Sequence, residues 1–108
     1  MGLLKEELRR LGALCETYDV ILVSDEIHCD FVWPGNRHTV FSTVSPELGR
    51  RTVLCTAPSK TFNLAGLQMS NIVIEDEGLR ERFRAEVNRT GYSLAGGLGL
   101  VACQRSEE

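Results

Sequence analysis

The sequence has no long apolar run and no excess of basic residues, and each absence excludes a class of function. No run approaches the roughly 20 apolar residues that a transmembrane helix needs, and the N-terminus is charged within a few residues, unlike a signal peptide. The 12 basic and 15 acidic residues give a net charge of −3, without the basic surface that nucleic-acid binding requires. We therefore expect no membrane partner and no nucleic-acid partner.

Cysteine is present, but its spacing lacks the pattern of a redox or zinc motif. The four cysteines lie far apart, and no two of them form a C-x-x-C pair. Cys15 and Cys55 lie within apolar segments. We expect reduced, mostly buried thiols in a cytoplasmic protein.

The apolar residues recur with the periods of helices and strands. Leu4, Leu8, Leu11 and Cys15 are spaced by four, three and four residues, which places them on one face of a helix. A continuous apolar run, typical of a strand buried in a parallel sheet, occurs at residues 20–23, and residues 52–56 and 71–74 are predicted to form two further short strands. A helix followed by strands and a further helix indicates an α/β fold in a single domain.

Capping and turn residues set the remaining boundaries. Ser45, followed by proline, predicts the start of a short helix. Asp76 predicts the N-cap of a longer helix that Gly91 ends, with Leu79, Phe83 and Val87 facing inward. Residues 30–44 are expected to form a loop with a turn at Pro-Gly, and the apolar, glycine-rich residues 94–103 to begin another helix.

Two polar segments follow the predicted strands. Residues 24–28 read Ser-Asp-Glu-Ile-His, and residues 56–63 read Thr-Ala-Pro-Ser-Lys-Thr-Phe-Asn. In α/β sheets, ligands bind beyond the carboxyl ends of parallel strands. If the two strands are neighbours, Asp25 and Lys60 can contact the same small molecule. A lysine amine is the side chain that forms a Schiff base with an aldehyde cofactor.

These segments, together with residues 64–67 and 70–71, resemble the fold-type I pyridoxal-phosphate enzymes. Among them the chain is most similar to the class I/II aminotransferase-like branch that contains cystathionine β-lyase. The resemblance covers nearly the whole chain, to about residue 104. It implies an α/β fold with a mostly parallel central sheet flanked by helices, in which residues 1–108 form part of the large cofactor-binding domain.

The resemblance implies roles for particular residues. Lys60 matches the lysine that binds pyridoxal 5'-phosphate covalently and then moves the substrate Cα proton, and Asp25 matches the acid that pairs with the pyridine nitrogen. His28 takes the position of a tyrosine that hydrogen-bonds the cofactor phenolic oxygen in many aminotransferases. Because histidine at this position is associated with the lyases, His28 and the Asn-Leu-Ala-Gly-Leu run at 63–67 favour that branch.

The phosphate-binding part of the family pattern is incomplete in this sequence. Many relatives have a serine three residues before the lysine and an arginine eight residues after it, where this chain has Ala57 and Gln68. The missing arginine removes a bidentate contact to an anion. Thr56 and Ser59 are the hydroxyl residues that could bind the phosphate instead.

Members of the family are several times longer than 108 residues, so we expect a fragment that lacks the N-terminal part and the C-terminal small domain. The expected function of the full-length protein is a carbon–sulfur β-lyase acting on cystathionine or cysteine S-conjugates. An amino-acid aminotransferase is the alternative, and the full-length form is expected to be a homodimer. A second alternative is an incomplete chain that has no activity of its own.

A metal site is the remaining alternative that the residues raise. His28, Cys29, Asp30 and His38 are all possible ligands. Their spacing matches no common zinc pattern, so the sequence predicts no metal.

Overall fold

The chain forms a small α/β structure around a three-stranded sheet, which confirms the expected fold class. In this computed structural model the described residues are 4–91, 101, 104 and 105. The elements in chain order are α1 (Lys5–Thr17), β1 (Leu22–Asp25), α2 (Pro46–Arg50), β2 (Thr52–Thr56), α3 (Pro58–Thr61), β3 (Asn71–Ile74) and α4 (Glu77–Arg89). Short 3-10 turns lie at Phe41–Thr43 and Ala65–Leu67. None of the described helices has the length and apolar character that a membrane span requires.

The strands are ordered β1-β2-β3 across the sheet. β1 and β2 pair in parallel, with Asp25 opposite Cys55, whereas β3 runs antiparallel to β2. The sheet is therefore mixed, and the carboxyl ends of β1 and β2 lie at the same edge. The site predicted from the sequence requires this parallel pairing, because it brings the ends of the two strands together.

β1 begins two residues later than the apolar run at 20–23 predicts. The Val20 N–H bonds the Cys15 carbonyl at 2.8 Å, which closes the turn after α1, and the bonds to β2 begin with the Leu22 N–H and the Arg51 carbonyl at 3.0 Å. Val20 and Ile21 are exposed. The strand begins where it gains a partner, because a ladder requires a neighbouring backbone.

The core lies between α1, α2 and one face of the sheet. Leu8, Phe41 and Leu48 form its buried cluster, against which Leu22 and Val44 pack. On α1 the buried positions are Leu8, Gly12 and Cys15. Leu4 and Leu11, which the helical period also placed on this face, are exposed in the structure.

Both predicted caps are confirmed. The Ser45 hydroxyl accepts the Leu48 N–H at 3.3 Å, and Asp76 Oδ1 accepts the Leu79 N–H at 2.7 Å. α4 has no buried residue, and the inward face expected for it is only partly covered, with Phe83 39% exposed. The helix ends at Arg89, and Gly91 follows with a φ of +68°. The helix predicted within 94–103 lies almost entirely outside the described residues.

Candidate active site

Asp25 and His28 lie at the carboxyl end of β1. Asp25 is the last residue of the strand and is exposed. Its Oδ1 accepts the Ile27 N–H at 3.4 Å. The chain then turns through residues 27–30, where the Phe31 N–H bonds the His28 carbonyl at 3.0 Å. The exposed His28 ring lies 5.9 Å from the Phe31 ring, tilted by 55°.

Lys60 lies on α3, a single helical turn that follows the carboxyl end of β2. The sequence indicated only a polar turn here. Pro58 takes the first helical position, where its fixed φ suits a helix start and its missing N–H costs nothing. The Phe62 N–H bonds the Pro58 carbonyl at 2.9 Å. The turn leaves Lys60 exposed, and no ion pair involves it among the described residues.

The two motif segments contact each other directly. The Thr61 hydroxyl donates a hydrogen bond to Asp30 Oδ2 at 2.5 Å, which joins α3 to the turn that contains His28. At the strand ends, burial first and the Asp25 charge second raise the pKa of the Cys55 thiol. This second cause is consistent with the pairing of Cys55 opposite Asp25 in the sheet.

The candidate phosphate ligands lie on either side of Ala57. Thr56 ends β2, and its hydroxyl accepts the Asn71 side-chain N–H at 3.4 Å. Ser59 is half-buried within α3. Gln68, which replaces the expected arginine, is exposed and has a left-handed φ of +50° after the second 3-10 turn. Thr56 and Ser59 thus lie close to Lys60 in the chain. Their role in binding the phosphate stays a prediction.

A cleft of about 830 Å³ opens between α1 and the loop that follows β1. Asp25 and His28 contribute to its wall, together with Leu8 and Trp33, whereas Lys60 does not line it. The segments that contain Asp25 and Lys60 therefore meet at the edge of the sheet and not inside this cleft.

Sequence reasoning missed the buried carboxylate of Glu26. Glu26 is 8% exposed, and its Oε1 accepts the Ser24 hydroxyl at 2.8 Å and the Phe41 N–H at 3.0 Å. Its Oε2 lies 2.5 Å from His38 Nε2. A glutamate after a strand is usually solvated, and only its neighbours in space, 12 and 15 residues away, reveal a buried role.

The sequence raised His38 as a possible metal ligand, but in the structure its partner is Glu26. The His38 ring is directed at Glu26 and not toward Cys29 or Asp30. Asp30 binds Thr61 instead. Within the described part of the chain, no group of three or more potential ligands could hold a metal ion.

The free thiols lie in or near this region. Cys15 is buried as expected, whereas Cys29 and Cys55 are only half-buried. Burial, followed by the charges of Asp30 and Glu26, raises the pKa of the Cys29 thiol. Cys103 lies outside the described residues.

Comparison with known proteins gives a consistent family. Residues 3–102 match the model of the family described as aminotransferase class I and II. Cystathionine β-lyase PatB of Bacillus subtilis is 46% identical over 91% of this chain, and an aspartate aminotransferase of the same organism is 34% identical over 84% of it. These alignments cover 24% and 22% of the respective relatives.

The fold has a similar match among solved structures. Cystalysin from Treponema denticola, whose crystal structure contains pyridoxal 5'-phosphate, superposes with a TM-score of 0.89 at 42% identity. The match covers 94% of this chain and 26% of cystalysin. The chain thus spans about a quarter of the length of the proteins it matches.

Proposed function

This chain belongs to the aminotransferase class I and II family, and from that membership we propose that the whole protein is a pyridoxal-phosphate-dependent carbon–sulfur β-lyase. Its substrates would be cystathionine or cysteine S-conjugates, and its products a thiol, pyruvate and ammonia. The 46% identity to a cystathionine β-lyase and the histidine at position 28 favour the lyase.

The observation that carries this proposal is the parallel pairing of β1 and β2. It puts Asp25 opposite Cys55, and Lys60 follows five residues later on α3. Ligands of α/β proteins bind at this edge of the sheet. An amine and a carboxylate from two neighbouring strand ends can therefore reach one small molecule.

The residues at this edge fit the chemical groups of pyridoxal phosphate. Lys60 offers an exposed amine for the aldehyde carbon. Asp25 engages one carboxylate oxygen, at a long 3.4 Å, with the Ile27 N–H, which leaves its other oxygen to accept a proton held on the pyridine nitrogen. The exposed His28 imidazole can donate a hydrogen bond to the phenolic oxygen.

We assign a distinct task to each side chain. When bound, the cofactor supplies an electron sink for the charge released at the substrate Cα. The Asp25 carboxylate keeps the ring nitrogen protonated, which a charge-assisted hydrogen bond favours. Lys60 holds the cofactor before the substrate enters, and its amine then takes the proton from the substrate Cα.

We further propose that the hydroxyls of Thr56 and Ser59 contact the cofactor phosphate. Both flank Ala57, in the segment that leads into the Lys60 turn. This chain has no arginine at position 68, so the bidentate contact that guanidinium offers an anion must come from elsewhere or be absent.

An aminotransferase is the second candidate, and the 34% identity to an aspartate aminotransferase is the observation that favours it. Lys60 and Asp25 would perform the same tasks in both reactions. In the lyase a thiolate would leave the substrate Cβ, whereas in the aminotransferase the substrate amino group would be passed on to a keto acid. A third possibility is that the 108-residue chain has no activity of its own.

We also propose the setting in which the site operates. Residues 1–108 would form part of a larger cofactor-binding domain, because the chain spans about a quarter of its relatives. The full-length protein would be a cytoplasmic homodimer. Light scattering on the protein at its full encoded length tests the dimer, and a monomer would contradict it.

Borohydride trapping tests the site directly. The chain has two lysines, Lys5 and Lys60, so Lys5 is an internal control for nonspecific labelling. After incubation with pyridoxal phosphate and reduction, mass spectrometry should find stoichiometric label on Lys60 and little on Lys5. Lys60→Ala should remove the label, whereas Lys5→Ala should leave it. Equal labelling of both lysines would contradict the proposed site.

Product analysis distinguishes the two reactions. The protein at its full encoded length should release pyruvate from cystathionine without added keto acid. Amino-group transfer that requires a keto acid, without release of pyruvate, would identify the aminotransferase. If neither reaction is observed, the proposed activity is wrong.

A further inference from the structure

The turn that carries Lys60 is too short to fix its own orientation. α3 comprises four residues, Pro58–Thr61, and its N-cap residue Ala57 makes no side-chain cap bond. Forming a first helical turn is unfavourable because several dihedral angles are ordered for one hydrogen bond. The direction of the Lys60 side chain therefore depends on contacts between this turn and the rest of the chain.

One side-chain contact supplies that restraint. The Thr61 hydroxyl donates to Asp30 Oδ2 at 2.5 Å across 31 positions of sequence. Among the described residues, it is the only side-chain hydrogen bond that α3 makes. The other bonds of the turn are local backbone contacts, such as those of the Phe62 and Leu64 N–H groups.

The acceptor is attached to the other half of the candidate site. Asp30 ends the turn at residues 27–30 that begins directly after Glu26 and contains His28. This turn is itself held in place, because the Glu26 N–H bonds the Cys55 carbonyl at 2.9 Å and the Glu26 side chain is buried. A bond from Thr61 to Asp30 therefore connects the short turn α3 to an anchored segment.

We propose that Asp30 and Thr61 are positioning residues, and that their hydrogen bond holds the Lys60 turn in a fixed relation to Asp25 and His28. The identity of the ligand that Lys60 binds rests on the function proposed above. The Asp30–Thr61 hydrogen bond, which we call the tether, does not depend on that function. Neither side chain needs to contact the cofactor for this role. Loss of the hydrogen bond would leave the Lys60 amine chemically intact but poorly directed. Binding of a ligand that requires a preorganised site would then be weaker.

Substitutions that differ by one group test the tether. Thr61→Val keeps the shape and removes the hydroxyl, Thr61→Ser keeps the hydroxyl, and Asp30→Ala removes the acceptor. Thr61→Val should raise the dissociation constant for pyridoxal phosphate severalfold, up to about tenfold, because the bond that it removes goes to a carboxylate although it is exposed. Thr61→Ser should stay within about twofold of the wild type, since it keeps that bond. Thr90→Val is the control, because the Thr90 hydroxyl bonds the Val87 carbonyl within α4.

Hydrogen exchange without cofactor separates this inference from the proposed function. Thr61→Val and Asp30→Ala should each speed exchange of the Phe62 and Leu64 amides, and the double variant should be no faster than either one, as coupled residues behave. Unchanged protection of the amides of β2, the strand that is paired on both sides, shows that the variants remain folded. Failure of the wild type to label at Lys60 overturns the proposed function only. Unchanged exchange in both single variants overturns the tether, whatever the labelling shows.

Discussion

Glu26 is a buried carboxylate whose two oxygens bind different parts of one loop. Oε1 accepts from Ser24 and from the Phe41 N–H, and Oε2 contacts His38. Burial of a charge is costly unless it is paired and hydrogen-bonded, and here both oxygens have partners. Glu26 therefore closes the loop between β1 and the 3-10 turn at Phe41–Thr43 and helps to set the direction in which the chain leaves Asp25.

Removing this carboxylate should be among the more destabilising single changes at the end of β1. Glu26→Leu leaves the buried Phe41 N–H and the His38 ring without a partner, so we expect a loss of about 2–3 kcal/mol in the free energy of unfolding. Glu26→Gln keeps the Oε1 acceptor and should cost about 1 kcal/mol or less. Urea titrations measure both.

Glu81→Gln is the matched control for these variants. Glu81 is exposed and pairs with Arg84 on the surface of α4, so its change should stay within about 0.5 kcal/mol. A Glu26→Leu variant as stable as the control would show that the carboxylate does not hold the loop.

The pKa of the Cys55 thiol depends on the pairing of the two strand ends, because Asp25 lies opposite Cys55. Its thiol pKa is raised by burial and then by Asp25, whereas Asp25 is not among the causes that raise the pKa of Cys29. A raised pKa keeps a thiol protonated to higher pH, and alkylation requires the thiolate. The alkylation rate of Cys55 should thus rise with pH later than that of a free thiol.

Asp25→Asn should shift this pH dependence for Cys55 alone. Removing the charge lowers the thiol pKa part of the way, since burial remains, so Cys55 should be alkylated faster between about pH 7 and 10. The rate at Cys29 should not change. Iodoacetamide labelling followed by mass spectrometry measures both sites in one sample, and equal acceleration of the two would contradict the strand register.

At the scale of elements, α1 and α2 approach closely because α1 has glycine at the contact. A Cβ at Gly12 would lie 2.3 Å from Leu48 Cδ1, and Leu48 is 2% exposed in the core cluster. Glycine is unfavourable within a helix by about 1 kcal/mol relative to alanine. The close packing of Leu48 offsets this cost.

Gly12→Ala should therefore destabilise the protein although alanine is the better helix former. We expect overpacking to cost about 1–3 kcal/mol, which exceeds the gain in helix propensity. Gly78→Ala is the matched change in α4, where the nearest contact to a Cβ is Asp76 Oδ1 at an ordinary 3.4 Å. This variant should stabilise by up to about 1 kcal/mol. Thermal unfolding of both should give shifts of opposite sign, and shifts of the same sign would contradict the packing argument.

The sequence predicts a structural feature correctly where neighbouring residues determine it, as they do at helix caps. The caps at Ser45 and Asp76 follow from side chains that bond amides three residues away, which a sequence displays directly. β1 was placed two residues early because its start depends on pairing with Arg51, 29 residues later. α3 was missed because a one-turn helix has no period to detect.

The candidate site shows the same division. The sequence predicts Asp25 and Lys60 as site residues because both belong to motifs that follow strands, and their roles stay a prediction. Glu26–His38 and Asp30–Thr61 join residues 12 and 31 positions apart. No sequence period encodes such contacts, so only the folded backbone could identify them.

At the scale of the whole molecule, burial is concentrated in one part of the fold. β2 is paired on both sides, with Thr52 and Val53 buried, and the core cluster lies between α1 and α2. α4 has no buried residue. Stability in proteins varies locally with the density of buried contacts, so these elements should open with different free energies.

Native-state hydrogen exchange should therefore find the slowest amides in β2 and much faster exchange in α4. Leu48→Ala removes a fully packed side chain, which typically costs about 2–5 kcal/mol, and should speed exchange throughout β2. Phe83→Ala on α4, where the ring is 39% exposed, should leave β2 unchanged. If Phe83→Ala accelerates β2 as much as Leu48→Ala does, α4 and the sheet open as one cooperative unit, and the division of the molecule inferred from burial is wrong.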